Sequence, residues 1–284
     1  MRSLLHFLTG VFLALVAVVS AHTQELKREA VHFAPLGKSD IGTTVGQLYL
    51  PYGPGPFAAV VVLHGCGGVR ENSYRWAEEL VRLGIAALVA DHFSPRGIDR
   101  ICERYGGKIV EQRERRRDTY GALMYLSQRP EIDSGRIAVM GFSNGGLATI
   151  NALVPGLNDP VSPRFVAGIA LYPDCTGYIR LKLSAPLMIL IGEKDDWTPV
   201  SVCQRMIDEL PSGSAAVSME VFPGASHSFD DETQRYMYLS AVFNPHKRSQ
   251  YGAIVSYDRG AHRASIEQVR QFVQQHLAAP RVAN

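Results

Sequence analysis

Ile137-Ala138-Val139-Met140-Gly141-Phe142-Ser143-Asn144-Gly145-Gly146 is the stretch that decides the fold. Four apolar residues run into a G-x-S-x-G pattern, and residues 147–153 behind it read as a helix. A serine on so tight a strand-to-helix turn has crowded neighbours two residues to either side, so Gly141 and Gly145 must both lack a Cβ. Five residues alone are a weak signal; the strand before them and the helix after them give the pattern its meaning.

Working outward, short apolar runs recur at residues 58–63, 85–90, 137–140, 166–171, 187–191 and 217–222. Runs this short and apolar on both faces are what buried parallel strands require. Segments 31–33 and 43–50 alternate like edge strands. Between the runs, Trp76, Leu80 and Leu83 fall at helical spacing, as do Thr119, Ala122, Leu123 and Leu126, and later Val269, Phe272, Val273 and Leu277. The alternation predicts an α/β fold, a doubly wound and mostly parallel sheet with helices on both faces, with ligands at the carboxyl ends of its strands.

The chain has 284 residues, 46% hydrophobic and 20% charged, which excludes a disordered, collagen-like or coiled-coil protein. Twenty-nine Lys and Arg against 27 Asp and Glu leave a formal charge of +2, too small to make a nucleic acid the main partner. The arginine-rich run 111–118 is interleaved with Glu111, Glu114 and Asp118 and reads as the solvated start of a helix.

Residues 1–21 carry Arg2, an apolar stretch and the small-residue exit Val19-Ser20-Ala21. That pattern predicts a secretory signal cleaved after Ala21, with no stable membrane anchor, leaving residues 22–284 as a single domain, exported to a periplasm or secreted. In an oxidising compartment an even number of cysteines suggests disulfides. Cys66 with Cys102, and Cys175 with Cys203, are the expected pairs, since both members of each lie after strands on the same sheet edge near the catalytic face. No C-x-x-C or H-E-x-x-H pattern supports a metal site.

A serine hydroxyl at neutral pH needs a base, itself oriented by an acid. The run 187–191 leads into Gly192-Glu193-Lys194-Asp195-Asp196-Trp197-Thr198-Pro199, which offers Asp195 or Asp196; the remaining one reads as a turn or capping residue before a helix starting near Pro199. Asp174, after an earlier strand, is a further candidate. The run 217–222 leads into a small-residue turn bearing His227. An oxyanion hole needs two backbone N–H groups: that of Asn144, after the nucleophile, and that of Cys66 in the loop His64-Gly65-Cys66-Gly67-Gly68.

These residues resemble the dienelactone hydrolase family of the α/β-hydrolase superfamily, over nearly the whole chain after residue 21. The resemblance implies hydrolysis of a small-molecule ester or lactone through an acyl-enzyme, without a cofactor. In that family the acid lies four residues before the proline, which favours Asp195. The family's founding enzymes carry cysteine where this chain has Ser143, and a glutamate in a loop that here holds no acidic residue between Leu63 and Val69. They grip a substrate carboxylate with two arginines; Arg96 resembles the first, and Asp231 stands at the second.

Phe142 and Trp197 flank catalytic residues and are expected to line the site. The aromatic segment 230–257 reads either as a lid or pocket wall, or as a packed surface excursion. A small serine peptidase of the prolyl-oligopeptidase type and a non-catalytic exported binding protein are the competing functions, and the oligomeric state stays open.

Overall fold

The structure, a computed structural model, describes residues 26–103, 112–156 and 163–278. The expected signal segment, residues 1–21, lies outside them, as does Glu111. An eight-stranded sheet runs in the order β1 (Lys27–Phe33), β2 (Thr44–Leu50), β4 (Ala86–Asp91), β3 (Phe57–Leu63), β5 (Ile132–Phe142), β6 (Gly168–Leu171), β7 (Leu187–Gly192), β8 (Val217–Phe222). Strand β2 is antiparallel to both β1 and β4, and every pairing from β4 to β8 is parallel. This is the α/β-hydrolase arrangement that the sequence predicts.

Burial follows from position in the sheet. Strands β3 and β7 are buried almost without a break, because helices cover both of their faces, whereas β1 and β8 at the two edges alternate. Val60, Val61, Val62 and Leu63 are wholly shielded from solvent. Truncating Leu63 to alanine would cost about 2–5 kcal/mol.

Helices α1 (Glu71–Arg82), α2 (Gln112–Ser127), α3 (Asn144–Leu153), α4 (Val200–Asp208) and α5 (Arg259–His276) fill the connections. Trp76 and Leu80 bury one face of α1, and Val269, Phe272 and Val273 one face of α5, as their spacing predicts. Helices α1 and α5 meet where the Trp76 and His262 rings lie 6.1 Å apart. Helix α2 is tied to α3 by the Tyr120 hydroxyl, which donates to Ala152 O at 2.8 Å.

One expectation is corrected by α2. The charged run on α2 is not a solvated face: Glu114, Arg115 and Asp118 are buried. Arg116 donates to Val154 O at 2.7 Å and to Asn151 O, placing a cation on the carbonyl end of α3. Helical periodicity puts one face of every turn of α2 against the molecule, through Glu114, Arg115, Asp118, Thr119 and Ala122, and the interleaved carboxylates concealed which face.

The aromatic segment 230–257 forms a two-stranded hairpin, β9 (Met237–Phe243) with β10 (Tyr251–Val255). It is joined to loops at the carboxyl ends of the parallel strands: Phe243 N donates to Cys102 O at 3.1 Å, and Ser256 N to His227 O at 3.0 Å.

Candidate active site

Strand β5 ends at Phe142, and the chain turns into α3 through Ser143, whose φ of 53° and ψ of −115° lie outside the regions that side-chain-bearing residues favour. The turn is held by Ser143 N donating to Leu171 O at 2.9 Å and by Leu147 N donating to Ser143 O at 2.9 Å. A Cβ at Gly141 would stand 2.3 Å from Gly145 O, and one at Gly145 only 2.1 Å from Leu63 O. Both glycines are therefore obligatory for the reason the sequence suggests.

His227, on the loop after β8, reaches this serine. Its Nε2 lies 3.0 Å from Ser143 Oγ, and its Nδ1 lies 2.8 Å from Asp195 Oδ2. With Nδ1 donating to the carboxylate, Nε2 is left as the acceptor for the serine proton. The imidazole is almost wholly buried, flanked by Tyr172 and Trp197 with ring centres 4.5 and 4.8 Å away.

Asp195 is fixed by its own surroundings. Oδ1 accepts from Trp197 N at 3.0 Å and Thr198 N at 2.9 Å, and Oδ2 accepts from the Thr198 hydroxyl at 2.9 Å as well as from His227. Asp196 points elsewhere: Oδ1 accepts from Ile254 N at 2.8 Å and Oδ2 pairs with Lys247 Nζ. It is not the cap of α4, whose first turn starts behind Pro199 with no side-chain cap. Asp174 folds back on Thr176 and lies 3.5 Å from His246 Nε2, away from His227.

The loop after β3 and the start of α3 bring the backbone of Cys66 and Asn144 to the serine. Neither N–H donates to another described residue. Two disulfides are present, Cys66–Cys102 and Cys175–Cys203, the pairs expected from the sequence. The first anchors the loop bearing the Cys66 N–H.

Two hollows meet at Ser143. One, of about 210 Å³, is walled by Gly65 to Gly68, Phe142, Tyr172 and His227, with Arg70 and Arg100 at its mouth. The other, of about 390 Å³, is walled by Ile101, Leu147, Phe243 and Pro245. Trp197 lines both. A larger hollow of about 600 Å³ lies between α1 and α5, among Arg75, Arg82, Glu232, Arg259 and Arg263. Among its described lining residues no serine or cysteine is held against a histidine; its Tyr257 hydroxyl lies 3.5 Å from His262 Nδ1 with no carboxylate set behind that ring as Asp195 is behind His227, so chemistry rather than size selects the site around Ser143.

Arg96 does not reach that site. Its guanidinium grips Asp40 through Nε and Nη2, Asp118 through Nη1 at 2.7 Å and Nη2 at 3.2 Å, and His92 O through Nη1 at 2.7 Å. All five N–H donors are engaged, leaving none for a substrate carboxylate. An arginine early in a loop after β4 carries no sequence mark that tells a ligand contact from a brace.

Residues that sequence reasoning missed include Thr198 and Tyr172. Thr198 stands three residues after Asp195, where it can hydrogen-bond back, a spacing that was legible. Tyr172, with a φ of 39°, donates its hydroxyl to the buried Asp230 at 2.5 Å, and Trp76 Nε1 donates to the same carboxylate at 2.8 Å. Burial pushes the Asp230 carboxyl above its ordinary range and raises the Tyr172 hydroxyl as well.

The family model described as the dienelactone hydrolase family matches residues 45–277. A probable 2-oxo-3-(5-oxofuran-2-ylidene)propanoate lactonase of Bradyrhizobium sp is 24% identical over 208 residues, covering 68% of this chain and 83% of the relative. Among solved structures, a dienelactone hydrolase-like promiscuous phosphotriesterase from metagenomic libraries superposes with a TM-score of 0.67 at 18% identity, covering 89% of this chain and 99% of that one. Thermogutta terrifontis esterase 2, phosphoramylated by tabun, gives 0.61 at 17% identity, over 88% and 97%.

Proposed function

Because the chain belongs to the dienelactone hydrolase family, we propose that it hydrolyses a small-molecule carboxylic ester or lactone through an acyl intermediate on Ser143, with His227 as the base and Asp195 as the acid. The observation that carries this reading is the unbroken line of contacts from Ser143 Oγ to His227 Nε2 at 3.0 Å and from His227 Nδ1 to Asp195 Oδ2 at 2.8 Å.

In the first half-reaction Ser143 Oγ attacks the carbonyl carbon and its proton passes to His227 Nε2. The oxyanion is received by the N–H groups of Cys66 and Asn144, at the positive end of α3. Each such donor is worth about 2.7–4 kcal/mol in the transition state. The tetrahedral adduct collapses, the leaving alkoxide takes the proton from His227, and the acyl group stays on Ser143. Water, deprotonated by His227, then attacks the acyl carbon; the second tetrahedral adduct collapses, Ser143 Oγ leaves with the proton from His227, and the acid is released.

The two hollows suit the two arms of an ester, one arm in the apolar chamber beside Leu147 and Phe243, the other in the narrower chamber beside His227. We place the protein outside the cytosol, since both disulfides need an oxidising compartment. Among the described residues no helix is long and apolar enough to cross a membrane.

The test is turnover of a panel of short and long acyl esters and lactones by the wild type and Ser143→Ala. The variant should lose on the order of 10⁴-fold or more in kcat, and an organophosphonate should label Ser143 alone. Undiminished turnover by the variant, or a label on another serine, would overturn the proposal.

A further inference from the structure

Among the described residues Arg115 is the largest charged side chain that is buried, with no exposed surface at all. From α2 its Nη2 donates to His64 O at 2.7 Å and its Nη1 donates to the side-chain oxygen of Asn144, while Nε has no partner. Those two acceptors belong to the two segments that offer N–H groups to Ser143: His64 lies two residues before Cys66, and Asn144 opens α3.

The charge itself is poorly compensated. Arg115 makes no ion pair with a described carboxylate; Asp118, one turn further along α2, has both oxygens taken by Arg96 and His92, with Thr44 adding a bond to one of them. The Phe93 ring lies 5.4 Å from the guanidinium carbon. Asp118 acts on the guanidinium through space and offsets part of the burial cost, but a buried cation with no directly bonded anion is still costly. Its position beside the first residue of α3 adds to that cost, since the start of a helix is already positive. Arginine, helix end and two N–H groups thus concentrate positive potential on one spot, which stability alone would disfavour and which a developing oxyanion would relieve.

Resting on the acyl-serine reading above, we propose that Arg115 is a positioning residue for the oxyanion hole, a buried guanidinium that locks the Cys66 loop to Asn144 and supplies a fixed positive field to the tetrahedral intermediate. Burial pushes its pKa down to about 9, so it stays charged at neutral pH. Its effect belongs to the transition state: a substrate carbonyl carries little charge before attack, so ground-state binding gains little from it.

The experiment compares Arg115→Lys, Arg115→Met and Asn144→Ala with the wild type, using a neutral short-chain ester. Arg115→Met should lower kcat by roughly 10²-fold with KM changed less than about twofold, and Arg115→Lys should recover part of the loss. A boronic acid, which forms an anionic tetrahedral adduct on the serine, should lose affinity in parallel with kcat, while the uncharged alcohol product should not. If Arg115→Met does not fold, Asn144→Ala tests the link alone, since it removes the acceptor and leaves the buried cation and the backbone N–H; kcat should fall about tenfold with little change in Tm. Wild-type kcat and boronate affinity in folded Arg115→Lys and Asn144→Ala would overturn the proposal. Ser143→Ala run alongside separates the two levels: loss there with no loss in the arginine variants leaves the hydrolase reading standing and removes only the role of Arg115.

Discussion

Lys247 Nζ lies 2.5 Å from Asp196 Oδ2, and through this contact the hairpin β9–β10 is fastened to the loop that carries Asp195. The same carboxylate accepts from Ile254 N at 2.8 Å, and Asn244 Nδ2 donates to Asp196 O at 2.8 Å. Two adjacent aspartates thus serve opposite directions, one the imidazole and one the hairpin.

Asp195→Asn and Asp196→Asn should therefore fail in different ways. The first should lower kcat by about 10⁴-fold, because the amide misdirects the imidazole tautomer. The second loses a part-exposed ion pair worth about 1 kcal/mol, and should raise KM with kcat nearly kept. Steady-state kinetics on one ester decides it; equal losses in kcat would mean that the acid is not Asp195.

Arg96→Ala should cost stability rather than specificity. It strips Asp118, which has no exposed side-chain surface, of its guanidinium, and breaking a buried pair of this kind costs about 3–5 kcal/mol. Arg96→Lys should not restore the loss, since an ammonium cannot span Asp40, Asp118 and His92 O together. Urea unfolding, with kcat/KM on a carboxylate-bearing ester and its neutral analogue, would show it; a selective loss on the acidic substrate would return Arg96 to a binding role.

The two disulfides close loops of 36 and 28 residues, so each should contribute a similar stability, about 3–4 kcal/mol in the chain-entropy account. Their kinetic consequences should differ. Replacing Cys66 and Cys102 by alanine frees the loop bearing the Cys66 N–H and should lower kcat at temperatures where the protein is folded. Replacing Cys175 and Cys203 should leave kcat nearly intact, since that bridge joins α4 to the segment after β6. Matching kcat losses in the two double variants would refute this assignment.

Acid should weaken the fold through two buried histidines. His64 and His92 are fully buried, and burial, helped at both by Arg115, holds each below the ordinary histidine value of 6.5, His64 well below it. The Asp118 hydrogen bond offsets part of that at His92. The unfolded chain then binds protons that the native state refuses, so stability is complete above pH 6.5 and falls as the pH drops beneath it. Two such groups set a ceiling of about 2.7 kcal/mol per pH unit on the slope, and the Asp230 carboxyl, which the native state protonates more readily than the unfolded chain, works against it. Urea midpoints from pH 7.5 to 5.0 measure it, and His92→Asn, which keeps a donor for Asp118, should flatten the dependence. A midpoint constant over that range would contradict it.

Much of the architecture was legible because its signals are local. Buried parallel strands declare themselves as short apolar runs, and Gly141 and Gly145 declare the turn around Ser143. The order of Ser143, Asp195 and His227 followed from the strand order, and the disulfide pairs from the sheet edge they share. What stayed hidden depends on tertiary partners. Arg115 and Asp118 look like any solvated helix charge until His64 O, Asn144, His92 and Arg96 are brought beside them. Asp196 was separable from Asp195 only by family resemblance, since its real partners lie 51 and 58 residues away. The hairpin escaped because Tyr236, Met237 and Tyr238 are exposed, so its outer strand shows no buried periodicity.

The hairpin touches Cys102 through Phe243, the Asp195–Trp197 loop through Asp196 and Trp197, and His227 through Ser256, while Phe243 and Pro245 also wall the larger hollow. On the proposed mechanism, substrate choice and catalytic alignment would be written on the same few residues. A relative with a different hairpin would differ in what it accepts and in how well its histidine is held, and grafting one hairpin onto another body would transfer both properties together. Diversification of this scaffold would then proceed by exchange of the whole module more readily than by piecemeal change of its wall.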